Sequence, residues 1–339
     1  MGYTTKAIYL KAPAVRTPEL NDAINPLLED WLQKHALEDG KQLYHYTDLN
    51  GLKGILNKRG LWLSHISTLN DPLELNYGRK LVLDELNDRM VNEEDSYIRR
   101  FYNSIKENVN SFGNILHQPF IACFCEKKSL LSQWRAYSNN GGGYSIGIEI
   151  KDSSLIAFDK KNLENGYKPV LRKIIYNPDE QLKLIKDVFD KMTSGYKEGI
   201  EGEVSGTIDK GYLSSVMGIQ AVNFLLDFIL SFKNPAFEEE QEWRLIHVGL
   251  KGHKPENFKF RENNDGLIPY QQSYLFNKKD EDVTATFPIK SIHIGPSLDQ
   301  DSQKTAIELY LRHSSTKKDN IQIFKPGLIS VENAGYELR

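Results

Sequence analysis

The stretch "LYHYTDLNGLKGIL", Leu43–Leu56, joins a short strand pattern directly to an amphipathic helix pattern. In its second half the apolar residues recur at helical spacing, at Leu49, Leu52, Ile55 and Leu56. Thr47 or Asp48 precedes this run and is suited to cap a helix. We therefore predict a strand over residues 41–46, followed at once by a helix that ends at Gly60.

The composition indicates a soluble, self-folding chain. Its 339 residues carry a formal net charge of −3, which gives no overall basic footprint for nucleic acid. The two cysteines, Cys123 and Cys125, alternate in a strand-like run and should point to the same face as buried free thiols. With so few cysteines and no signal-peptide pattern in residues 1–15, a reducing cytoplasm is the expected compartment. The longest apolar stretch, residues 221–232, is too short to span a bilayer and predicts a core helix.

Strand and helix patterns alternate along the chain without a low-complexity linker or an internal repeat. We expect an N-terminal helical extension over residues 1–40, in which Pro26 kinks or divides the helix. Residues 41–339 should form one α+β domain with a mixed central sheet, peripheral helices and a C-terminal β-α-β unit ending at the strand 321–326. The polar stretch 255–285 is the best candidate for a mobile loop.

Three clusters combine polar and aromatic side chains next to predicted strand ends. They are residues 44–47; Ser132, Trp134, Arg135 and Tyr137; and residues 238–244. Each allows a structural interpretation as well as a functional one: a histidine in a strand is often a core residue, an i, i+3 aromatic pair packs a helix, and an acidic run is often solvated. The glycines 141–143 fit a turn better than a phosphate loop, since the Gly-Lys-Ser/Thr signature is missing.

The acidic run at residues 238–242 differs from a solvated acidic surface because it leads directly into a predicted strand. Alternation along that strand predicts that Glu240, Glu242 and Arg244 share one face. A carboxylate fixed there beside an arginine would stay ionised and could stabilise a cation or accept a proton. A plain ion pair between Glu242 and Arg244 remains the alternative.

Several other chemistries lack their motifs. The eight histidines are scattered and no Cys-x-x-Cys occurs, so we predict no metal site. Neither a Gly-x-Ser-x-Gly elbow nor a Gly-x-Gly-x-x-Gly turn after a strand is present, which argues against acyl transfer and against a dinucleotide-binding Rossmann domain.

Taken together and in order, the motifs resemble the bacterial domain-of-unknown-function family 2971 (DUF2971) over residues 41–330. They are "LYHYTDLNGLKGIL…GLWLSHISTLNDPLE", "LLSQWRAYSNNGGGYSIGIEI", "NPAFEEEQEWRLIHV" and "IKSIHIGP". Asn70, Asp71 and Glu74 belong to the first of these and would help to shape a pocket.

The opening strand and helix also resemble those of ADP-ribosyltransferase folds, including DarT toxins and RNA phosphotransferases. This resemblance implies an ADP-ribosyltransferase-like sheet and NAD as substrate, with no metal. His45 would orient the ribose, and Glu242 would be the catalytic carboxylate, with Glu240 activating the acceptor. The remaining site residues implied are Tyr46, Thr47, Trp134, Arg135, Tyr137 and Arg244, which would stack on the rings or contact the diphosphate.

These expectations lead to three hypotheses. The first is a cytoplasmic NAD-dependent enzyme that modifies a macromolecule or hydrolyses NAD, as a toxin or antiphage effector restrained by a partner protein. The second is a non-catalytic module that senses a nucleotide or binds a partner. The third is a metal-independent nuclease-like protein that acts through His45, Arg135 and Glu242.

Overall fold

The structure, a computed structural model, describes residues 18–58, 60–69, 74–111, 119–150, 154–157, 169–202, 209–248, 259–263, 266–279, 282–284, 288–315 and 329–335. The helices of this part are α1 Pro18–Lys34, α2 Leu49–Lys58, α3 Glu74–Val91, α4 Ser96–Ser111, α5 Leu131–Tyr137, α6 Pro178–Gly202, α7 Lys210–Ser231 and α8 Gln300–Ser315. The strands are β1 Gln42–Thr47, β2 Gly60–His65, β3 Pro119–Cys125, β4 Tyr144–Glu149, β5 Ser154–Ala157, β6 Val170–Lys173, β7 Glu242–Val248, β8 Lys259–Asn263, β9 Gly266–Lys279, β10 Asp282–Thr284, β11 Ile289–Ile294 and β12 Ser330–Asn333.

All twelve of these strands join one mixed sheet, so the α+β class is confirmed. The predicted strand and helix of the opening stretch are β1 and α2. The C-terminal β-α-β unit is also present, since β11 and β12 pair in parallel on either side of α8. Its second strand is Ser330–Asn333, and the predicted strand 321–326 lies outside the described residues.

Two expectations concern the outer elements. Helix α1 runs through Pro26 without being divided, and its Trp31 ring packs 4.9 Å from that of Phe228 in α7. The polar stretch 255–285 is not a loop where it is described, because β8, β9 and β10 occupy it. Backbone pairing with a neighbouring strand outweighs the low strand propensity of Asn, Asp and Lys there.

Helices cover both faces of the sheet. On the first face, α1, α3, α4, α6 and α7 form a large core with Ile121 of β3 and Ile246 of β7. On the second face, α2 and α8 pack with Phe120 and Leu245, the residues that alternate with the first pair. Helix α7 is apolar and long enough to span a membrane by composition, but 89% of its most apolar 18-residue window is buried inside the protein. It is the central helix of the first core.

Strand β3 determines how the sheet divides, because it has three partner strands. Strand β7 pairs with β3 along its whole length, from Pro119↔Val248 to Cys125↔Glu242. A strand has only two edges, so β1 and β2 must share the other one. Strand β2 occupies it at Phe120 and Ile121, and β1 at Cys125 alone. We call the point where they separate the strand fork; it is flanked by His45 of β1, Cys123 of β3 and Ser64 of β2.

The first core contains a buried ion pair that anchors α7 to the sheet. Arg172 Nε of β6 donates to Asp227 Oδ1 of α7 at 2.7 Å, and the two side chains are 2% and 0% exposed. Removing one partner of a buried pair leaves an uncompensated charge in the interior. Asp227 is the charged residue that interrupts the apolar run 221–232.

We predict that Asp227→Asn lowers the free energy of unfolding by about 3–5 kcal/mol in urea denaturation, because the Arg172 guanidinium loses its counter-charge. Asp30→Asn is the control: it removes an exposed pair with Lys34 and should cost no more than about 0.5 kcal/mol. Similar losses for the two variants would contradict the anchoring role of the buried pair.

Candidate functional site

The acidic run reaches β7 through a turn and not as a continuous strand. Residues Pro235–Glu240 form a short 3-10 helix, Gln241 adopts the left-handed conformation with φ of 43°, and β7 begins at Glu242. The expectation that Glu240 shares a strand face with Glu242 is therefore wrong, since Glu240 precedes the strand. A lysine nevertheless brings the two carboxylates together.

That lysine is Lys233, which follows α7. Its Nζ donates to Glu240 Oε2 at 2.6 Å and to Glu242 Oε2 at 2.9 Å. Arg244 binds Glu242 with two further bonds, Nε to Oε1 at 2.8 Å and Nη2 to Oε2 at 3.2 Å. We call Lys233, Glu240, Glu242 and Arg244 the carboxylate cluster. The ion pair proposed between Glu242 and Arg244 is thus present as part of a larger network.

Glu242 is buried and held ionised. Burial alone would raise the pKa of this carboxyl, but the charges of Arg244 and Lys233 outweigh it and hold the pKa well below its usual 4.5. The Glu242 side chain is 5% exposed, whereas that of Glu240 is 16% exposed. Glu240 is therefore the more accessible carboxylate of the cluster.

Two tyrosines lie beside the cluster. The Tyr176 hydroxyl accepts a hydrogen bond from the Glu242 backbone N–H at 3.0 Å. Tyr137, at the end of α5, is partly exposed; burial, and then the negative charges near it, including Glu240 and Glu242, raise the pKa of its phenol. The second and third sequence clusters therefore meet here, on the first face of the sheet.

The other residues expected to stack on a ligand are mostly buried in the protein. Trp134 is 0% exposed, and its Nε1 donates to Ser129 Oγ at 3.1 Å. Tyr46 packs edge-on against Trp134 with ring centroids 4.9 Å apart, and its hydroxyl donates to the Lys127 carbonyl. The stacking roles of Tyr46 and Trp134 are therefore not supported, since these rings serve the core beneath α5. Arg135 is exposed and Thr47 is partly exposed.

His45 lies on the other face of the sheet from Glu242. Tyr44, Cys125 and Glu242 are cross-strand partners and so share the first face. His45, one residue on from Tyr44, points to the second face, where its ring lies 5.8 Å from that of Phe124. His45 and Glu242, which the resemblance implies act on one substrate, therefore point to opposite faces of the sheet.

His45 instead marks the strand fork. Its Nδ1 lies 2.8 Å from the Cys123 carbonyl oxygen, which can only accept, so Nδ1 carries the proton. Burial lowers the pKa of His45, the bond to Cys123 opposes this, and the charge of Arg261 lowers it again. The ring is neutral at pH 7 in this environment, and its Nε2 presents an acceptor lone pair.

Arg261 of β8 lies across the fork, and no sequence motif indicated it. Its Nη2 donates to Ser64 Oγ at 2.9 Å, and its guanidinium carbon lies 5.7 Å from the centroid of the Trp62 ring. Among the described residues, none accepts a hydrogen bond from its buried Nε and none forms an ion pair with it. Asp48, which caps α2 through a 2.7 Å bond to Gly51 N, is the acidic group within electrostatic range.

Two remaining expectations concern metals and the second part of the opening motif. In the described part of the chain, no group of three His, Cys, Asp or Glu side chains is placed to hold a metal ion. Asn70 and Asp71 lie outside the described residues, and Glu74 begins α3.

Comparison with known proteins finds one family model that matches the segment containing the carboxylate cluster. Residues 133–245 match the family model described as "Protein of unknown function (DUF2971)". The matched segment is about a third of the chain and is similar to the DUF2971 family. The DUF2971 match contains α5 from its third residue, Tyr176 and the whole carboxylate cluster, whereas His45 and Arg261 lie on either side of it. No curated protein and no solved structure matches the chain.

The carboxylate cluster gives the protein a specific acid sensitivity. The folded-state pKa of Glu242 lies below its unfolded value of 4.5. Ionised Glu242 therefore stabilises the fold fully above pH 4.5, and this contribution falls as the pH drops below that value. We predict that Glu242→Gln destabilises the protein by about 3–5 kcal/mol at pH 7, because Arg244 and Lys233 lose their shared counter-charge.

The difference in unfolding free energy between wild type and Glu242→Gln should shrink as the pH is lowered from 7 to 3, measured by urea denaturation at each pH. Glu239→Gln is the matched control, since Glu239 is exposed and bonds Ser132 Oγ at 3.3 Å. A Glu242→Gln deficit that stays constant over this pH range would show that the charge of Glu242 is not what stabilises the fold.

Proposed function

We propose that the protein binds NAD or a closely related nucleotide at the strand fork, and that its activity is ADP-ribosyl transfer or hydrolysis of NAD. The observation that carries this proposal is the position of His45. A neutral imidazole, oriented by the Cys123 carbonyl, presents Nε2 at a point where two strands separate, and can accept a hydrogen bond from a ribose hydroxyl. This is the role that the resemblance to ADP-ribosyltransferase folds implies for the residue.

The reaction makes a second demand, which is a carboxylate near the sugar. Cleavage of the bond between nicotinamide and ribose builds oxocarbenium-like positive charge, and a fixed carboxylate lowers that barrier. Glu240 is the carboxylate we propose for this step, since its side chain is more exposed than that of Glu242. Glu242 would act as a positioning residue that holds Lys233 and, through it, Glu240.

The separation of the two faces favours a second candidate. His45 and the carboxylate cluster lie on opposite faces, and Glu242 is fully engaged by Arg244 and Lys233. A module that binds the nucleotide at the fork and does not turn it over requires only the fork. The nuclease-like hypothesis is the least supported, because it needs His45 and Glu242 to act on one phosphate. A role as a toxin or antiphage effector, with a macromolecular acceptor and a restraining partner, belongs to the first candidate.

One assay distinguishes the enzyme from the non-catalytic module. The purified chain is incubated with NAD, and nicotinamide release is measured by chromatography alongside NAD binding by calorimetry. For the enzyme, we expect release by the wild type and a fall of about 100-fold or more in Glu240→Gln, because a positioned carboxylate contributes at least that much. Glu239→Gln, which removes the adjacent exposed charge, should retain the wild-type rate.

His45→Gln tests the fork in the same preparations. We expect it to weaken NAD binding while leaving the thermal midpoint of unfolding near that of the wild type, since an amide can still donate to the Cys123 carbonyl. Binding that depends on His45 without nicotinamide release would select the non-catalytic module. Absence of both binding and release from the wild type would contradict the proposed function.

A further inference from the structure

The strand fork contains a cationic group whose hydrogen-bonding capacity is incompletely used. Arg261 is partly buried, and burial, the main influence on it, lowers the pKa of its guanidinium; the charge of Asp48 opposes this. Its Nη2 is bonded to Ser64, but its Nε is shielded from solvent and has no acceptor among the described residues. An unsatisfied donor on a charged group is costly in a protein interior unless a ligand completes it.

The surroundings of Arg261 fix its orientation. Pairing of β8 with β9 and of β9 with β2 brings Arg261 to the same side as Trp62 and Ser64. The Trp62 ring lies under the guanidinium, and Trp62 is itself held by a 2.8 Å bond from its Nε1 to Gln272 Oε1. A guanidinium in cation–π contact with an indole and hydrogen-bonded through one nitrogen is preorganised, so less side-chain entropy is lost on binding an anion.

We propose that Arg261 binds the diphosphate of a nucleotide ligand at the strand fork, with Ser64 orienting the guanidinium. The planar guanidinium matches a phosphate group, to which it can donate two parallel hydrogen bonds. Ser64 pairs with Ile121, so Ser64 and Arg261 lie on the first face, whereas His45 points to the second face. The charge of Arg261 nevertheless lowers the pKa of His45, so the two groups are near each other across the fork, and a ligand between the strands would reach both. The inference rests on the proposed function for the choice of a nucleotide, whereas the anion site itself depends only on Arg261 and its neighbours.

The test is calorimetric titration of the full chain with ADP, adenosine and inorganic pyrophosphate. We expect ADP to bind the wild type at least ten-fold more tightly than adenosine, and Arg261→Gln to lose at least ten-fold in ADP affinity. Lys259→Gln is the matched control, because Lys259 is an exposed cation two residues away on the same strand and the same face. It should bind ADP as the wild type does.

Two further arms keep the result interpretable. Arg261→Lys retains the charge without the planar geometry, and should give an intermediate ADP affinity; it replaces Arg261→Gln if that variant does not fold. Pyrophosphate distinguishes the source of the phosphate: tighter binding of ADP identifies a nucleotide, and equal binding identifies an inorganic diphosphate. Equal affinities for ADP and adenosine, an unchanged ADP affinity in the Arg261 variants, or no ADP binding to the wild type would overturn the assignment.

Failure of this inference is distinguishable from failure of the proposed function. Binding of ADP that depends on Arg261, without nicotinamide release from NAD, would leave the diphosphate site standing and remove the enzymatic proposal. Nicotinamide release with an unchanged KM for NAD in Arg261→Gln would support the enzymatic proposal and remove the diphosphate site.

Discussion

The shared edge of β3 is the constraint on which the arrangement of this protein depends. Because β7 pairs along one full edge of β3, the strands β1 and β2 must divide the other edge between them. They separate at Cys123, whose carbonyl oxygen lies 2.8 Å from His45 Nδ1. A backbone acceptor inside a sheet must be satisfied. The same requirement fixes the tautomer of His45 and so determines what its other nitrogen can do.

The carboxylate cluster and the strand fork then serve different purposes. On the first face, the carboxylate cluster joins the end of α7 to the start of β7 and is packed under α5, with both charges of Glu242 and Arg244 neutralised inside the protein. Such a network gives geometric specificity and is costly to open. At the strand fork, in contrast, Arg261 has no ion-pairing partner among the described residues. The carboxylate cluster, whose charges are paired, is therefore suited to a structural role. Arg261, whose Nε has no acceptor among the described residues, is suited to binding a ligand.

Much of the local structure was predictable from the sequence, because helical spacing and strand alternation report burial directly. The helix after Thr47, the paired faces of Cys123 and Cys125 and the closing β-α-β unit are examples. The sequence could not predict that His45 and Glu242 point to opposite faces of the sheet. That depends on which strands pair between them and on the register of each pairing, because a shift of one residue moves a side chain to the other face. Strands β8 and β9 were also missed, because their polar sequences form strands by pairing with each other and with β2. Arg261 lies in β8 and was missed for the same reason.

The central claim is that the strand fork receives the diphosphate and the ribose of the nucleotide. A crystal structure of the full chain with NAD tests it most directly. The account predicts diphosphate oxygens within hydrogen-bond distance of the Arg261 guanidinium and a ribose hydroxyl within hydrogen-bond distance of His45 Nε2. A nucleotide bound beside Tyr137 on the first face, with Arg261 and His45 making no contact to it, would contradict the account.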